Sequence, residues 1–333
     1  MSILYVNENG CSIGIEENRC TVSYPDGMKR LVPIESLEGI VILGRAQMTT
    51  QCTMECLKRG ISVAYFSAGG TYFGCMESTK HFNAERQRRQ CALYDAPFAV
   101  ELSKKIVTAK LKNQSVVLRR YEKSKGLNLT ECQKMLRICA GKIETCCSIS
   151  EIMGYEGQGA KSYFTGLSMC VEKEFRFNGR NRRPPLDEFN SMLSLGYSIL
   201  MNEIYCKIEL HGLNPYFGFM HRDHEKHPTL ASDLMEEWRA VIVDSTVMSM
   251  INGHEILKDD FYYDVDKPGC FITRNGLKKY LNKLERKLQT RVRYLTYYDH
   301  EVSFRYAMDL QIGQLIKAIE EEDASIYEPI RIR

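Results

Sequence analysis

The sequence predicts an α+β protein with a small N-terminal β-rich, β-sandwich-like domain over residues 1–79, followed by a larger all-α domain over residues 80–333. Two observations lead to this prediction. Residues 1–79 contain short apolar runs separated by glycine, proline and asparagine, which is typical of strands joined by turns. After Lys80, apolar residues recur every three or four positions, which is typical of helices. A chain of 333 residues, 44% of them hydrophobic, can bury the cores of two domains.

The first domain is predicted to contain strand pairs around one helix. Asn9-Gly10 predicts a hairpin between strands at 2–6 and 11–15, and the turn at 24–27 predicts a second hairpin between 21–23 and 28–32. A helix over 49–59 ends at Gly60, because glycine is the preferred residue just after a helix. Strands at 61–66 and 71–77 complete the domain.

The second domain is predicted to contain eight helices. Their predicted residues are 83–94, 97–123, 129–146, 160–176, 188–210, 231–251, 274–288 and 301–322. Residues 327–333 are predicted to form a tail.

Charge is distributed unevenly along the chain, although the formal net charge is only +3. Residues 80–125 contain twelve Lys or Arg against four acids, and residues 274–293 contain eight against one. Residues 1–79 contain eight acids against six bases, so the first domain is a poor candidate for gripping DNA. Basic clusters of this kind are expected where a protein holds a polyphosphate backbone, although solvated helix faces are the alternative for each cluster alone.

Thirteen cysteines do not indicate a disulfide scaffold in a chain of this length. No C-x-x-C pair occurs, so most of the cysteines are expected to be small buried hydrophobes. The chain opens without a signal-peptide pattern, and no apolar run reaches the roughly eighteen residues that cross a bilayer. We therefore expect a cytoplasmic protein that makes no use of a membrane.

Three short stretches indicate a cation site: EGQGAKSYF at Glu156, FGFMHRD at His221, and LASDLMEEWR with Asp233 and Glu236. Two carboxylates and an imidazole suit Mg²⁺ or Mn²⁺ better than a structural zinc. Glycines around Glu156 would let a ligand or backbone approach closely. Asp233 and Glu236 share one helix face, but periodicity leaves open whether Glu236 or Glu237 turns toward the metal.

Histidines at 221, 224 and 227 raise the alternative of a zinc site. The charged residues between them and Pro228 are typical of a polar loop, and no cysteine has zinc spacing. We therefore expect His224 and His227 to be solvated.

Four motifs in order resemble the family of CRISPR-associated integrases and endonucleases that acts in spacer acquisition (adaptation). They are GYEGQGAKSYF at 154–164, NRRPPLDEFNSMLSLGY at 181–197, GFMH at 218–221 and LASDLMEEWRAVIVD at 230–244. The resemblance runs through nearly the whole chain, and the two-domain plan also matches that family.

The resemblance implies a catalytic metal held by Glu156, His221 and Glu236, with Asp233 as an adjacent acid. Four further residues are candidates for supporting the metal ligands or for contacting DNA: Asn190, Tyr163, Arg182 and Arg183. Packing is an equally good interpretation of Tyr163, which lies among apolar residues. The implied reaction joins the 3′-hydroxyl ends of captured DNA to repeat phosphodiesters, a transesterification that needs positioning and charge neutralisation but no protein nucleophile.

The resemblance also implies partners. It predicts double-stranded DNA as substrate, both as the captured fragment and as the CRISPR repeat. It predicts a homodimer through the β-rich domain, and a heterohexamer with the small CRISPR adaptation partner protein. Residues 327–333 resemble the ending of family members that are encoded beside an iron–sulfur nuclease that trims DNA ends.

Two other functions remain open at this point. A free-standing metal-dependent, structure-specific nuclease would use the same ion to activate water. A non-catalytic DNA-binding scaffold would keep the basic helices and make no use of the site.

Overall fold

The computed structural model describes residues 2–182, 184–264, 266 and 268–332. It divides into two compact units, Met1–Phe82 and Asn83–Arg333, so the division lies three residues beyond the predicted one. Strands dominate the first unit and helices dominate the second, which confirms the predicted α+β fold class.

The first unit contains two four-stranded sheets. Its strands are β1 Ser2–Val6, β2 Cys11–Glu16, β3 Arg19–Ser23, β4 Lys29–Pro33, β5 Leu37–Leu43, β6 Ala46–Met48, β7 Ser62–Phe66 and β8 Tyr72–Met76. One sheet has the order β1-β5-β7-β8 and the other β4-β3-β2-β6. Residues from both sheets meet in one core, with Ile13, Ile40 and Val63 almost fully buried.

One of the two predicted hairpins of this unit forms and the other does not. β3 pairs with β4 in antiparallel orientation, as predicted, and β7 also pairs with β8 in antiparallel orientation. The hairpin predicted at Asn9-Gly10 is wrong, because β1 pairs in parallel with β5 while β2 pairs with β3 and β6 in the other sheet. Gly10 does adopt a left-handed φ of 81°, so the turn exists but its strands separate.

Helix α1, Thr50–Arg59, packs in the same core. The Thr49 side chain accepts a hydrogen bond from Cys52 N, and Gly60 follows with a φ of 73°, as the turn chemistry predicts. Cys52 and Cys56 are fully buried. Eight of the thirteen cysteines are buried and all thirteen are free thiols, in agreement with their predicted role as small hydrophobes.

The second unit is built from nine helices among the described residues. They are α2 Ala84–Ala92, α3 Pro97–Lys125, α4 Thr130–Ile143, α5 Ile149–Cys170, α6 Glu188–Leu210, α7 Thr229–Met235, α8 Ser245–Asn252, α9 Arg274–Gln289 and α10 Phe304–Glu320. Two short antiparallel pairs accompany them: β9 Phe261–Tyr263 with β10 Cys270–Ile272, and β11 Arg291–Val292 with β12 Val302–Ser303.

Helix α5 differs most from its prediction, since it begins at Ile149 rather than at residue 160. The Ser148 side chain accepts from Glu151 N and starts the helix, so the glycine-rich stretch is helical rather than a loop. Gly159 allows the close approach of α3, because a Cβ there would lie 2.5 Å from Leu111 Cδ2. Gly154 and Gly157 face open space.

The helix predicted over residues 231–251 is divided into three parts. A π-helical segment, Arg239–Asp244, lies between α7 and α8. Such segments are uncommon, and they are found frequently at functional sites.

The predicted tail at 327–333 is wrong for its described residues. Tyr327, Ile330 and Ile332 are buried, and Ile332 N donates to the side chain of Asn113 on α3. Across the described residues, no helix has both the length and the apolar character that spanning a bilayer requires.

Candidate active site

Asp233 organises the loop that carries His221. Its buried carboxylate accepts hydrogen bonds from three consecutive backbone N–H groups, those of Phe219, Met220 and His221, at 2.6, 2.9 and 3.0 Å. The ring nitrogen Nδ1 of His221 lies 2.7 Å from Asp233 Oδ1. Because a carboxylate only accepts, Nδ1 carries the proton, and Nε2 of the neutral ring keeps its lone pair for another partner.

The electrostatic surroundings of His221 favour its charged form. Burial opposes the charge, but the hydrogen bond that Nδ1 donates to Asp233, the negative charge of Asp233 and that of Glu236 outweigh burial and raise the pKa of His221 above its ordinary value.

Glu156 and Glu236 meet at a single cation. Glu156 lies on α5 and Glu236 directly follows α7, yet both carboxylates contact Nζ of Lys110 on α3, Glu236 Oε2 at 2.6 Å. Lys110 is 4% exposed and Glu236 is 2% exposed. Two acids separated by eighty residues therefore converge within contact distance of one positively charged atom.

The surroundings of Glu236 keep it ionised despite its burial. Burial alone would raise its pKa, but the charges of Arg239, Lys110 and His221 lower the pKa of Glu236 to about 2. Arg239 Nη1 contacts Oε1 at 2.7 Å. Oε2 is close to Lys110 but has no well-directed hydrogen bond among the described residues, so it retains capacity for a stronger partner.

The choice between Glu236 and Glu237 follows from their contacts. Glu237 faces the other way, accepting from Tyr327 Oη at 2.6 Å and from Ile330 N at 2.7 Å. Burial raises the pKa of Glu237 to about 7, and these two hydrogen bonds partly oppose the shift. Glu236 is therefore the glutamate that shares a cation with Glu156.

The carboxylates of Glu156 and Glu236 and the imidazole of His221 are the kinds of ligand that a hard divalent cation takes, although they do not yet surround a single point. Among the described residues, no three histidine, cysteine or acidic side chains are already grouped as a metal-binding cluster. Two carboxylates converge on one cation, however, and Asp233, three residues before Glu236, orients an imidazole through its Nδ1. Oxygen donors with one imidazole suit Mg²⁺ or Mn²⁺.

The remaining candidates have different surroundings. Asn190 is fully buried and ties the 179–187 loop together through Gly179 O and Asp187. Tyr163 is also fully buried and donates to Asp244 Oδ2 at 2.9 Å, a position that favours the packing interpretation over DNA contact. Arg182 is exposed, and Arg183 lies outside the described residues.

Sequence reasoning missed two basic residues of this site. Lys110 falls on the buried stripe of α3, one turn after Ile106, where a lone lysine among apolar residues signals a buried partner. Arg239 contacts Glu236 and lies over the Tyr197 ring, 5.1 Å from its centroid. It gave no separate signal, because it is one of four charged residues within positions 233–239.

Comparisons with known proteins identify the family of the chain. A family model described as CRISPR associated protein Cas1 matches residues 4–286. The chain is 37% identical over 318 residues to a CRISPR-associated endonuclease Cas1 from Mycobacterium tuberculosis, covering 95% of this chain and 94% of the relative. It is 30% identical to a Cas4 exonuclease/Cas1 endonuclease fusion from Geobacter sulfurreducens, covering 96% of this chain and 57% of the fusion.

Solved structures share the fold. A casposase bound to an integration product has a TM-score of 0.87 at 23% identity, with 100% of this chain and 96% of that chain covered. A Cas1 protein from Thermotoga maritima has a TM-score of 0.82 at 21% identity, with 96% and 97% covered. A chain of a Cas6-RT-Cas1–Cas2 complex has a TM-score of 0.85 at 24% identity; this chain spans 36% of it. With the family model matching most of its length, the chain belongs to the Cas1 family of CRISPR-associated proteins.

Proposed function

We propose that the chain is a metal-dependent DNA integrase of CRISPR adaptation. It joins the 3′-hydroxyl ends of captured double-stranded DNA to phosphodiesters of the CRISPR repeat by transesterification, and acts in the cytoplasm. The observation that carries the proposal is the convergence of Glu156 and Glu236 on one cation, beside an imidazole oriented by Asp233. Membership of the Cas1 family supports the same reaction class.

Glu156, Glu236 and Nε2 of His221 would hold Mg²⁺ or Mn²⁺. When bound, such an ion polarises the target phosphodiester and neutralises charge that develops on its oxygens. Asp233 acts as a positioning residue, since it fixes the ring of His221 and the backbone on either side.

The two basic residues of the site have distinct roles in this proposal. Lys110 holds the carboxylates of Glu156 and Glu236 together and neutralises their mutual repulsion. Arg239 keeps Glu236 ionised and adds positive charge for phosphate oxygens. Together they prepare a site where an anionic DNA strand approaches two acids without strong repulsion.

A structure-specific nuclease is the second candidate, and the naming of the curated relatives as endonucleases favours it. The same residues could position a water instead of a DNA hydroxyl. Cleavage of branched DNA is also compatible with an integrase, because joining and cutting share a phosphodiester substrate.

One experiment separates these functions. The protein is incubated with a labelled duplex and a supercoiled plasmid carrying a repeat, in Mg²⁺ or Mn²⁺. Strand joining supports integration, whereas cleavage without a joined product supports the nuclease. Glu156→Gln and His221→Ala should abolish joining and leave DNA binding intact, while Glu131→Gln, an exposed glutamate on α4, should change neither. If both site variants retain full joining activity, the assignment of the site fails; if the wild-type protein binds DNA but neither joins nor cleaves it, the chain is a scaffold and the proposed function fails.

The β-rich unit is proposed to form a homodimer. Exposed large apolar side chains lie on the outer strands β4 and β8, at Leu31 and Phe73, and just before β4, at Met28. Exposed apolar groups at sheet edges are typical of surfaces that pair with another chain. Light scattering at micromolar concentration tests the dimer, and a strictly monomeric protein would remove it.

Assembly with further CRISPR proteins is proposed from the comparisons. One structural neighbour is part of a complex with Cas2, which fits the small adaptation partner and a heterohexamer. A curated relative is fused to a Cas4 exonuclease, which fits an end-trimming nuclease of the iron–sulfur type as a further partner. Co-purification of separately tagged proteins tests both.

A further inference from the structure

A basic cavity lies apart from the paired carboxylates. It has a volume of about 510 Å³ and is enclosed by the C-terminal part of α3, helix α8 and helix α9. Four cations line it: Arg120, Lys283, Arg286 and Lys287. None of its described lining residues is an aspartate or glutamate. Its size is within the range of small-ligand cavities, and its charge suits an anion.

The four cations come from the two basic segments of the sequence. Arg120 belongs to residues 80–125, and the other three belong to residues 274–293. Either segment alone is explained by solvation of a helix face, but the fold brings both to one cavity. Lys283 pairs with Glu255, whereas Arg286 and Lys287 have no carboxylate partner among the described residues.

Lys287 is less exposed than Arg120 and Arg286. It is half-buried, and its ammonium lies 5.1 Å from the centroid of the Phe304 ring. Burial, followed by the nearby charge of Arg120, lowers the pKa of Lys287 to about 8. Holding like charges together in a partly desolvated cavity is unfavourable unless an anion joins them.

The hydroxyl groups of the cavity are partly committed. Ser245 and Thr246 donate to the carbonyl oxygens of Val241 and Ile242, both at 2.6 Å. The hydroxyl of Ser249 makes no hydrogen bond to a described group, so it can donate into the cavity. A phosphate group would thus meet guanidinium, ammonium and hydroxyl donors together.

The cavity lies along α3 from the paired carboxylates. Val117 and Tyr121 line it and follow Lys110 by seven and eleven residues, so all three lie on one side of the helix. At 1.5 Å per residue they lie about 10 and 16 Å from Lys110 along the axis. A DNA strand advances by about 3.4 Å per nucleotide, so this separation corresponds to about three to five nucleotides.

We propose that this cavity is a binding site for a phosphate group of a DNA strand, three to five nucleotides from the reacting phosphodiester. The choice of DNA as occupant rests on the proposed function. The phosphate site itself rests on the cavity, on Arg286 and Lys287, which have no carboxylate partner among the described residues, and on the absence of acidic residues from its described lining.

Salt-dependent binding to a fluorescent duplex with a short 3′ overhang tests the site, measured by anisotropy in EDTA. Arg286→Gln/Lys287→Met should weaken binding and reduce the slope of log affinity against log salt by about 0.7–0.9, the loss of one phosphate contact. Lys278→Met is the matched control, because exposed Lys278 precedes Lys287 by nine residues and lies on the opposite side of α9. An unchanged slope in the double variant, or an equal change in the control, overturns the proposal.

Lysine labelling of the full-length wild-type protein identifies the occupant and does not depend on variants that fold. Acylation at Lys287 is followed by mass spectrometry with DNA, with a deoxynucleoside monophosphate, and with orthophosphate. Protection by DNA at micromolar concentration supports the proposal. Protection by the small phosphates alone overturns DNA as occupant, and no protection in any arm overturns the site.

The two proposals fail in different ways. If the wild-type protein joins no strands in Mg²⁺ or Mn²⁺ while DNA still protects Lys287, the integrase function fails and the phosphate site stands. If strands are joined and Lys287 stays reactive with DNA bound, the phosphate site fails and the function stands.

Discussion

Replacing Lys110 by methionine is expected to make the stability of the helical unit depend on divalent metal. Methionine keeps the apolar stem and removes the cation that Glu156 and Glu236 share. Removing one partner of a buried ion pair costs about 3–5 kcal/mol, because the remaining charge has no compensation. Arg239 still pairs with Glu236, so a loss of about 3 kcal/mol is expected.

That loss converts into a measurable change in melting temperature. For a unit of this size, 1 kcal/mol corresponds to about 2–4 °C, which predicts a decrease of about 6–12 °C in EDTA. A divalent ion that replaces the ammonium between the two carboxylates should restore stability, by about 2.7 kcal/mol at a hundredfold excess over its Kd. The wild-type protein should respond less, because Lys110 competes for the same carboxylates.

Thermal unfolding followed by far-ultraviolet circular dichroism, with and without Mn²⁺, measures both effects. Lys112→Met is the control, since Lys112 is an exposed lysine on the same helix and should melt like the wild type. A Lys110→Met protein that melts with the wild type, or that melts early and does not respond to Mn²⁺, would refute the shared-cation arrangement.

Three further predictions concern orientation, protonation and packing. Asp233→Asn should reduce Mn²⁺ affinity by about 10–100-fold in calorimetric titration, because His221 loses its orienting acceptor; unchanged affinity would contradict this. Burial raises the pKa of Asp244 to about 6, although hydrogen bonds from two tyrosines oppose the shift. Protonated Asp244 therefore stabilises the folded protein below its unfolded pKa of 3.8, and this contribution to the free energy of unfolding is lost as pH rises through 6. The free energy of unfolding of Asp244→Asn, measured by chemical denaturation, should therefore rise relative to that of the wild type by up to about 3 kcal/mol between pH 4 and pH 7. A difference between the two proteins that stays constant with pH would argue against the raised pKa. In helix α5, Gly157→Ala should stabilise the protein by about 1 kcal/mol, because Gly157 faces open space. Gly159→Ala should destabilise it by about 1–3 kcal/mol, because the added Cβ would meet Leu111. Equal unfolding midpoints for the two variants would contradict the contact between Gly159 and Leu111.

Much of the fold could be predicted because periodicity records local structure. Helix α6 begins and ends at the predicted residues, and the turn at 24–27 joins the strands it was predicted to join. The pairing of β1 could not be predicted, because the Asn9-Gly10 turn defines a local reversal and not the sheet that each strand enters. The start of α5 was missed because three glycines lower helix propensity, while packing against α3 and the Ser148 cap override it.

The candidate site was only partly readable from the sequence. Residue types and motifs pointed to Glu156, His221 and Glu236, but the cation that joins the two acids lies 46 residues before the first of them. Glu236 and Glu237 are adjacent and both buried, so only their distant partners separate their roles. Long-range contacts of this kind leave no trace in local periodicity.

The docking of Tyr327 and Ile330 on Glu237 has a consequence during protein synthesis. Glu237 follows Glu236 in the chain, and its carboxylate accepts hydrogen bonds from two groups about ninety residues downstream. While a ribosome is still making that segment, Glu237 lacks these two donors and the backbone next to Glu236 lacks their support. The paired carboxylates should therefore reach their final arrangement only after translation has passed Ile330.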